Sequence, residues 1–265
     1  MSLDLGKIVE YERIMPLCMQ PALGAMPGSD VILRDDLALI SSLNYPSPDS
    51  NHACLLRTSA ANIEALIDEV IEYFKSRDLP ATIFTSPACS PVDLPERLLR
   101  RGFVKQEPDE SWLALEHLQT TRVPKVDPKI TVRQVEKAEV KLFAEVMAAA
   151  YEMPAEWLPM LLQVLEPTIG LPDFRHYLAF ANGQPLATIT VMRHEQFAVV
   201  GSAGVLPEQR GSSLIYNLTV GVLDKAQQEG VDTIILQTTL GPLFERLLRI
   251  YGFKFAFKRS GYTLA

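Results

Sequence analysis

Apolar residues recur along the second half of this chain with two distinct periods. Residues 130 to 135 alternate as a strand does, and residues 136 to 151 place Ala138, Leu142, Phe143, Val146, Met147 and Ala150 on one helical face. Pro154 starts a new segment, in which residues 157 to 165 read as a short helix closed by Pro167 and Gly170. Residues 176 to 181 and 185 to 192 are predicted strands joined by Asn182-Gly183, a pair suited to the positive φ of a two-residue hairpin turn. A strand follows over 197 to 205. Residues 213 to 229 carry Leu214, Leu218, Val222 and Ala226 at four-residue steps, and Gly230 ends that helix. Residues 232 to 238 are nearly all apolar, as suits a sheet centre. Pro242 is placed to open a helix running to about residue 250. Phe253, Phe255 and Phe257 alternate as a strand, 258 to 261 turn, and 262 to 264 return. The predicted order is β-α-α-β-β-β-α-β-α-β-β. This is an α/β chain (α+β, with a mixed sheet), mostly antiparallel at its start and with one βαβ crossover.

The first half repeats part of this plan. Ile63, Leu66, Ile67, Val70, Ile71 and Phe74 form an amphipathic stripe, and a strand is predicted over 81 to 85. A helix then ends in Glu96-Arg97-Leu98-Leu99-Arg100-Arg101-Gly102-Phe103. The second half has Glu245-Arg246-Leu247-Leu248-Arg249-Ile250-Tyr251-Gly252-Phe253 at the matching place. The shared string, in a shared helix-strand-helix setting, points to a duplicated domain. Between the halves, residues 119 to 128 read QTTRVPKVDP, with two prolines and no apolar period, as a linker does. The expected division is a domain over residues 1–118, a linker over 119–128 and a second domain over 129–265.

Composition narrows the function classes. The chain has 265 residues, 48% of them hydrophobic, enough to build one large core or two modest ones. A net charge of −7 argues against nucleic acid or an anionic membrane as the main partner, and leaves room for a local basic pocket. No apolar run approaches the roughly 18 residues that span a bilayer. Met1-Ser2-Leu3-Asp4 lacks the basic and apolar regions of a secretory signal. The three cysteines, Cys18, Cys54 and Cys89, are far apart and form no CxxC, so reduced, buried thiols in a cytoplasmic protein are expected. His52, His117, His176 and His194 have no metal-ligand spacing, and no metal is expected. His194-Glu195 fails the HExxH pattern because Ala198 stands in the second histidine's place. The GxxxxGK[ST], GxGxxG and GxSxG motifs are absent.

The chemistry concentrates where the 197–205 strand meets the following helix, at Gly204-Val205-Leu206-Pro207-Glu208-Gln209-Arg210-Gly211-Ser212-Ser213-Leu214-Ile215. A helix opening directly after a strand aims unpaired backbone N–H groups, and the positive end of its dipole, at whatever lies above the strand. Arg210 adds a cation, Gly211 lets the backbone come close, and Ser212 and Ser213 add hydroxyls. Two readings follow: a cradle for a pyrophosphate, or an ordinary strand-turn-helix corner with an N-cap serine. The matching stretch of the first half, Thr58-Ser59-Ala60-Ala61, has no Arg-Gly turn, and no pyrophosphate site is expected there.

The second half, about 135 residues, resembles the GNAT superfamily of acyl-CoA N-acyltransferases. The likeness rests on the element order, on Val205, Pro207, Arg210 and Gly211 running into a long helix, and on an αβα tail whose last helix ends in Gly252-Phe253. It implies two GNAT-like domains, the N-terminal one degenerate, and a sheet that splits beside the 197–205 strand. Acetyl-CoA would be the co-substrate. Gly204 and Val205 would offer backbone groups to its pantetheine arm and acyl carbonyl. Arg210, Gly211, Ser212, Ser213, Leu214 and Ile215 would hold its phosphates. The sequence departs from the family pattern at four places. Ser213 stands for the usual glycine and Ile215 for a glycine or alanine. Leu248 stands for the tyrosine that serves as general acid, with Tyr251 on a different helical face, and Gly241 stands for an asparagine.

The implied reaction is direct attack of a neutral primary amine on the thioester, which needs proximity, a donor for the carbonyl oxygen and a base. Glu152 and Gln237 are the candidate catalytic side chains. Glu152 falls at a helix-helix corner, and Gln237 either faces the cleft or satisfies buried backbone. Glu195 and His194 read as solvated turn residues. Tyr151 and Trp157 either line an acceptor pocket or belong to the core. The expected partner is a small-molecule or peptide amine, and a homodimer paired through sheet edges stays open. The alternative to an enzyme is a non-catalytic acyl-CoA-binding or scaffolding protein on the same fold, which Leu248 and Gly241 motivate.

Overall fold

The computed structural model describes residues 4–45 and 47–264. Its helices and strands run α1 (Leu5–Gly24), β1 (Ser29–Leu33), β2 (Ala38–Ser42), β3 (His52–Cys54), α2 (Ile63–Lys75), β4 (Ala81–Thr85), α3 (Leu94–Arg100), β5 (Val104–Lys105) and β6 (Glu110–Leu115). They continue with β7 (Ile130–Gln134), α4 (Val140–Ala150), α5 (Leu158–Leu165), β8 (Phe174–Ala181), β9 (Gln184–His194), β10 (Phe197–Val200), β11 (Gly204–Val205), α6 (Leu214–Gln228), β12 (Thr233–Thr238), α7 (Pro242–Ile250) and β13 (Lys254–Leu264). Two compact units result. One joins Met1–Leu113 to Gln237–Ala265, and the other is Ala114–Leu236.

That division has other bounds than the expected one. The last residues of the chain, predicted to complete the second domain, pack with the first. The 119–128 stretch is irregular as expected, but it lies inside the Ala114–Leu236 unit and is pinned there. Gln119 donates to the Gln227 and Val231 carbonyls at 3.0 and 2.7 Å, and Asn217 Oδ1 accepts the Asp127 N–H at 2.7 Å.

In the unit containing both chain ends, the strand order is β1-β2-β3-β4-β13-β6, with β5 also on β13. β4 is buried at all five positions, and the apolar stripe of α2 (Ile63, Leu66, Ile67, Val70, Phe74) packs with Leu39 and Ile83 of this sheet. Each such side chain contributes about 1.5–3 kcal/mol on burial. Helix α1 packs on β1 and β2. Helices α3 and α7, which carry the repeated ERLLR string, end alike. Gly102 and Gly252 take φ +87° and +92°, and the amides of Phe103 and Phe253 bond the carbonyls of Leu98 and Leu248. The repeat is therefore a shared helix-stop geometry that needs glycine for its left-handed residue.

The predicted turn at 258–261 is absent. β13 runs unbroken through it, antiparallel to β4 from Ser260↔Thr85 to Leu264↔Ala81. The polar run Lys258-Arg259-Ser260 misleads because Lys258 is exposed on the strand while Arg259 and Ser260 find side-chain partners. Arg259, 1% exposed, donates from Nε to Glu110 at 2.8 Å, and Ser260 donates to Asp109 at 2.7 Å. Gly261 sits where a Cβ would fall 2.9 Å from Phe84 Cε1, so close packing rather than a turn calls for glycine there.

In the Ala114–Leu236 unit the order is β12-β10-β9-β8-β7, with β11 on β9. β8 and β9 form the predicted hairpin, with Asn182 and Gly183 at φ +51° and +77°. β9 is buried at every position from 187 to 192, so both its faces are covered, and α4 and α6 each pack against it. α6 buries Leu214, Leu218, Val222 and Ala226 as its period predicts. It crosses β7 so closely that a Cβ at Gly221 would lie 2.9 Å from Val132 Cβ.

Candidate functional site

The predicted strand over 197–205 is two strands with a slip between them. β10 pairs antiparallel with β9 as far as Val200↔Val191 and parallel with β12 as far as Val200↔Leu236. β11 resumes on β9 at Gly204↔Thr188, one residue out of step, and does not pair with β12. A single extra residue bends a strand and breaks its ladder, which is how this unit parts β11 from β12. Inside the slip the Gly201 N–H bonds the Thr190 carbonyl at 2.8 Å, and the Thr190 N–H bonds the Ser202 carbonyl at 3.2 Å. The Ser202 carbonyl thus points to β9. The Ala203 N–H lies trans to it in the same peptide plane, so it points away from β9. Among the described residues that amide has no hydrogen-bond acceptor.

After β11, a 3-10 turn (Pro207–Gln209) and Gly211 at φ +84° bring the chain into α6. Gly211, Ser212 and Ser213 are exposed. The Ser212 N–H is spent on the Gln209 carbonyl (3.1 Å), and the Leu214 N–H takes a long bond of 3.3 Å to Ser212 Oγ. Among the described residues the amides of Gly211, Ser213 and Ile215 find no acceptor, and Ser213 makes no capping bond. The corner is therefore not a closed N-cap. It presents free donors at the positive end of a fifteen-residue helix.

Arg210 is differently used from the sequence expectation. Its Nη2 donates to the Ala150 carbonyl at 3.0 Å and to Glu152 Oε2 at 2.8 Å. It ties the loop to the end of α4 rather than standing as a lone cation. Glu152 occupies the left-handed residue that closes α4, at φ +53°, with Met153 N–H on the Ala148 carbonyl. A glutamate there costs roughly 1–2 kcal/mol against glycine, and what it brings is the carboxylate on Arg210.

Tyr151 and Trp157 are each 44% exposed, on either side of the α4–α5 corner, so neither is a core aromatic. Tyr151 Oη donates to the Ala203 carbonyl at 3.0 Å. Gly204 has room for nothing larger: a Cβ would lie 2.9 Å from Ala150 Cβ and 3.1 Å from Tyr151 Cε2. Gly204, Val205, Ala150 to Glu152 and Arg210 to Ile215 are thus brought together. Gln237 is not among them. It falls in the other unit, where its Oε1 lies 3.4 Å from Arg259 Nη2. Leu248, 5% exposed, also belongs there, as a core residue.

That unit has a buried polar cluster of its own, which the sequence reading did not find. Arg259 is sandwiched at 4.0 Å from the Phe84 ring and 4.8 Å from that of Trp112. Glu110 accepts from Arg259 and from Trp112 Nε1 (3.3 Å). Glu12, 1% exposed on α1, accepts from Ser86 Oγ at 2.5 Å, and its Oε1 has no partner among the described residues. Burial, partly offset by Arg259 and Ser86, pushes its carboxyl up to about 7. His52 is held neutral by burial and by Arg259, down to about 3. In the other unit His176 is a satisfied core histidine, bonded by Thr168 (2.7 Å) and Thr190 (2.9 Å), with burial lowering it to about 4. Among the described residues no group of His, Cys, Asp and Glu is arranged to hold a metal, and no helix is long and apolar enough to cross a membrane.

No protein-family model matches the chain, and no curated protein matches it by sequence. Solved structures do. A GCN5-related N-acetyltransferase from Kribbella flavida superposes with a TM-score of 0.69 at 16% identity, over 94% of this chain and 93% of that one. One from Sphaerobacter thermophilus gives 0.63 at 17%, over 95% and 90%. A tandem GNAT protein from the clavulanic acid biosynthesis pathway, solved without AcCoA, gives 0.61 at 15%, over 96% and 95%. At these identities the likeness is one of fold. The chain has the fold of the GCN5-related N-acetyltransferases along nearly its whole length, as the sequence resemblance implied.

Proposed function

We propose that this protein is an acyl-CoA N-acyltransferase that moves an acetyl group from acetyl-CoA to a primary amine. The observation that carries this is the run of unengaged amides at Gly211, Ser213 and Ile215, set one short turn beyond a strand that has left its neighbour. Oriented, exposed amides at a helix N-terminus favour a diphosphate. The parted strand leaves Gly204 and Val205 as the edge along which a pantetheine arm pairs, and the Ala203 N–H faces away from β9 toward where the thioester carbonyl would lie. In this reading the Ala114–Leu236 unit carries the acyl-CoA site and the other unit carries none. A donor at Ala203 stabilises the oxygen that gains charge as the amine attacks. The chain's contribution is then chiefly proximity and that donor, since Leu248 supplies no acid. Glu152, exposed beside the loop with its Oε2 on Arg210, is the carboxylate that an incoming ammonium would have to share with that arginine. Gln237, an amide, has no basic group to offer.

The test separates amide from side chain. Ser213→Pro removes one N–H at a position whose φ of −76° proline accepts. It is expected to weaken CoA binding, measured by calorimetry, by about 10- to 100-fold, the worth of one hydrogen bond to a charged group. Ser213→Ala, which keeps the N–H, leaves affinity near wild type. Thiol release from acetyl-CoA across a panel of amines then tests turnover. Binding without release on any amine favours the second reading, a non-catalytic acyl-CoA-binding protein, which the leucine at 248 in place of the family's tyrosine motivates.

A further inference from the structure

The end of α4 reaches both parts of the acyl-CoA site proposed above. Through the Ala150 carbonyl and Glu152 it holds Arg210 and hence the phosphate loop. Through Tyr151 it holds the slip between β10 and β11. The slip is a short stretch with few bonds of its own. Gly201 and Ser202 are tied to Thr190 of β9, and the Ala203 carbonyl is tied to Tyr151 Oη. The direction of the Ala203 N–H is set by the peptide plane before it, which Thr190 fixes, and by the plane after it, which the Gly204–Thr188 pairing holds from one side and Tyr151, through the Ala203 carbonyl, from the other. Remove the phenol and the Ala203 carbonyl loses its one bond among the described residues, leaving that plane to the Gly204–Thr188 pairing alone.

Two further features serve this contact. Gly204 is the residue over which the Tyr151 ring lies, 3.1 Å from where a Cβ would be. The left-handed Glu152 directly after Tyr151 ends α4 at the residue that leaves the phenol on the slip.

We infer that Tyr151 is a positioning residue for acyl transfer, its hydroxyl holding Ala203 so that the Ala203 amide is aimed at the thioester oxygen of a bound acyl-CoA. The role rests on the acyl-CoA reading of this site. Tyr151 does not itself touch the reacting atoms. Its bond to the Ala203 carbonyl fixes the residue whose N–H takes up charge as the tetrahedral intermediate forms. A donor fixed in advance costs no reorganisation when that charge develops, which is where such a group gains its effect.

The experiment is isotope-edited infrared spectroscopy of acetyl-CoA labelled with carbon-13 at the acyl carbonyl, bound to the full chain. In the wild type the carbonyl stretch is expected to fall to lower frequency on binding, reporting a hydrogen bond to that oxygen. In Tyr151→Phe, which keeps the ring over Gly204, most of that lowering is lost while acetyl-CoA affinity stays within about threefold, less than the loss of one direct ligand hydrogen bond. With any amine that the wild type accepts, kcat falls about tenfold or more at unchanged KM, a loss confined to the transition state. Equal lowering in both proteins overturns the role of Tyr151 and leaves the acyl-CoA reading standing. Loss of binding along with the lowering also overturns it, since that marks a general support for the fold. If the wild type does not bind acetyl-CoA, the acyl-CoA reading falls and the role falls with it. Hydrogen exchange on the ligand-free chain reads the contact separately. Thr190 and Gly201 amides are expected to exchange faster in Tyr151→Phe while Ile189, in the core of β9, is unchanged. Identical exchange at Thr190 and Gly201 removes the premise that the phenol steadies the slip.

Discussion

Glu12 carries a thermodynamic signature of its own, a buried carboxyl that holds its proton. It sits at the centre of α1, buried, with one carboxylate oxygen on Ser86 and the other without a partner among the described residues. The nearby cation, Arg259, is already paired with Glu110. Burial raises the Glu12 carboxyl from 4.5 to about 7, so between those values the folded chain keeps a proton that the unfolded chain has released. Stability from this group is therefore greatest below pH 4.5, falls as pH rises to 7 and is flat above, a loss of about 3 kcal/mol in all. His52 and His176 act in the opposite sense, costing stability as pH falls below 6.5. The measurement that isolates Glu12 is thus a difference. The unfolding free energy of Glu12→Gln minus that of wild type, by urea titration, is expected to climb from pH 4.5 to 7 and then level off. A difference independent of pH would show that Glu12 is ionised in the native state. None of this is legible in the sequence, where Glu12 is one acid among the polar residues of a mostly apolar helix. Its importance comes from burial by the fold, which Ser86 and Arg259, residues far along the chain, only partly offset.

At the scale of elements, the chain's periods revealed most of the helices. The stripes at 63–74 and 214–226 bury with only Ile71 left half-covered. Of the stripe expected over 136–151, Phe143, Val146, Met147 and Ala150 bury, while Leu142 is half-buried and Ala138 is exposed ahead of α4. A helical face declares itself every three or four residues, its first turn less so. Strands declared themselves less reliably where the sheet buries polar groups or changes register. The Lys258-Arg259-Ser260-Gly261 run reads as a turn and is strand. Residues 197–205 read as one strand and are two, because a one-residue slip leaves no mark on apolar alternation. The first three strands and α1 lay outside the reading altogether, and the prolines at 16 and 21, which speak against a helix interior, stand inside α1 all the same. In the candidate site the phosphate loop was visible from its Arg-Gly turn and serines. The engagement of Arg210 by Glu152 was not, since the partners lie 58 residues apart. The close passage of α4 over β11 gives an element-level prediction. Gly204→Ala forces its Cβ against Ala150 and Tyr151, and is expected to cost about 1–3 kcal/mol by chemical denaturation. Retention of wild-type stability would mean that the end of α4 yields freely.

For the whole molecule, the salient fact is that one unit is discontinuous in sequence. Met1–Leu113 lacks β13, the strand that lies between β4 and β6, until Gln237–Ala265 supplies it. The sequence suggested a cut near the 119–128 stretch. A chain ended at residue 118 would leave β4 with an open edge, β6 without a paired strand and Glu110 without Arg259. An unpaired buried carboxylate alone costs several kcal/mol, and open edges invite aggregation. We expect such a chain to show no cooperative thermal transition by circular dichroism, and adding residues 237–265 as a separate peptide to restore one. A sharp transition for residues 1–118 alone would show that the remaining strands close the sheet unaided.

The same discontinuity sets an order of events during synthesis. Residues 114–236 leave the ribosome as a complete sequence for their unit, free to fold as soon as they emerge. The earlier residues, translated first, must wait for the final strand. The unit begun first is thus the last to be finished, and through that interval the nascent protein exposes the edges of β4 and β6 that a holding chaperone recognises.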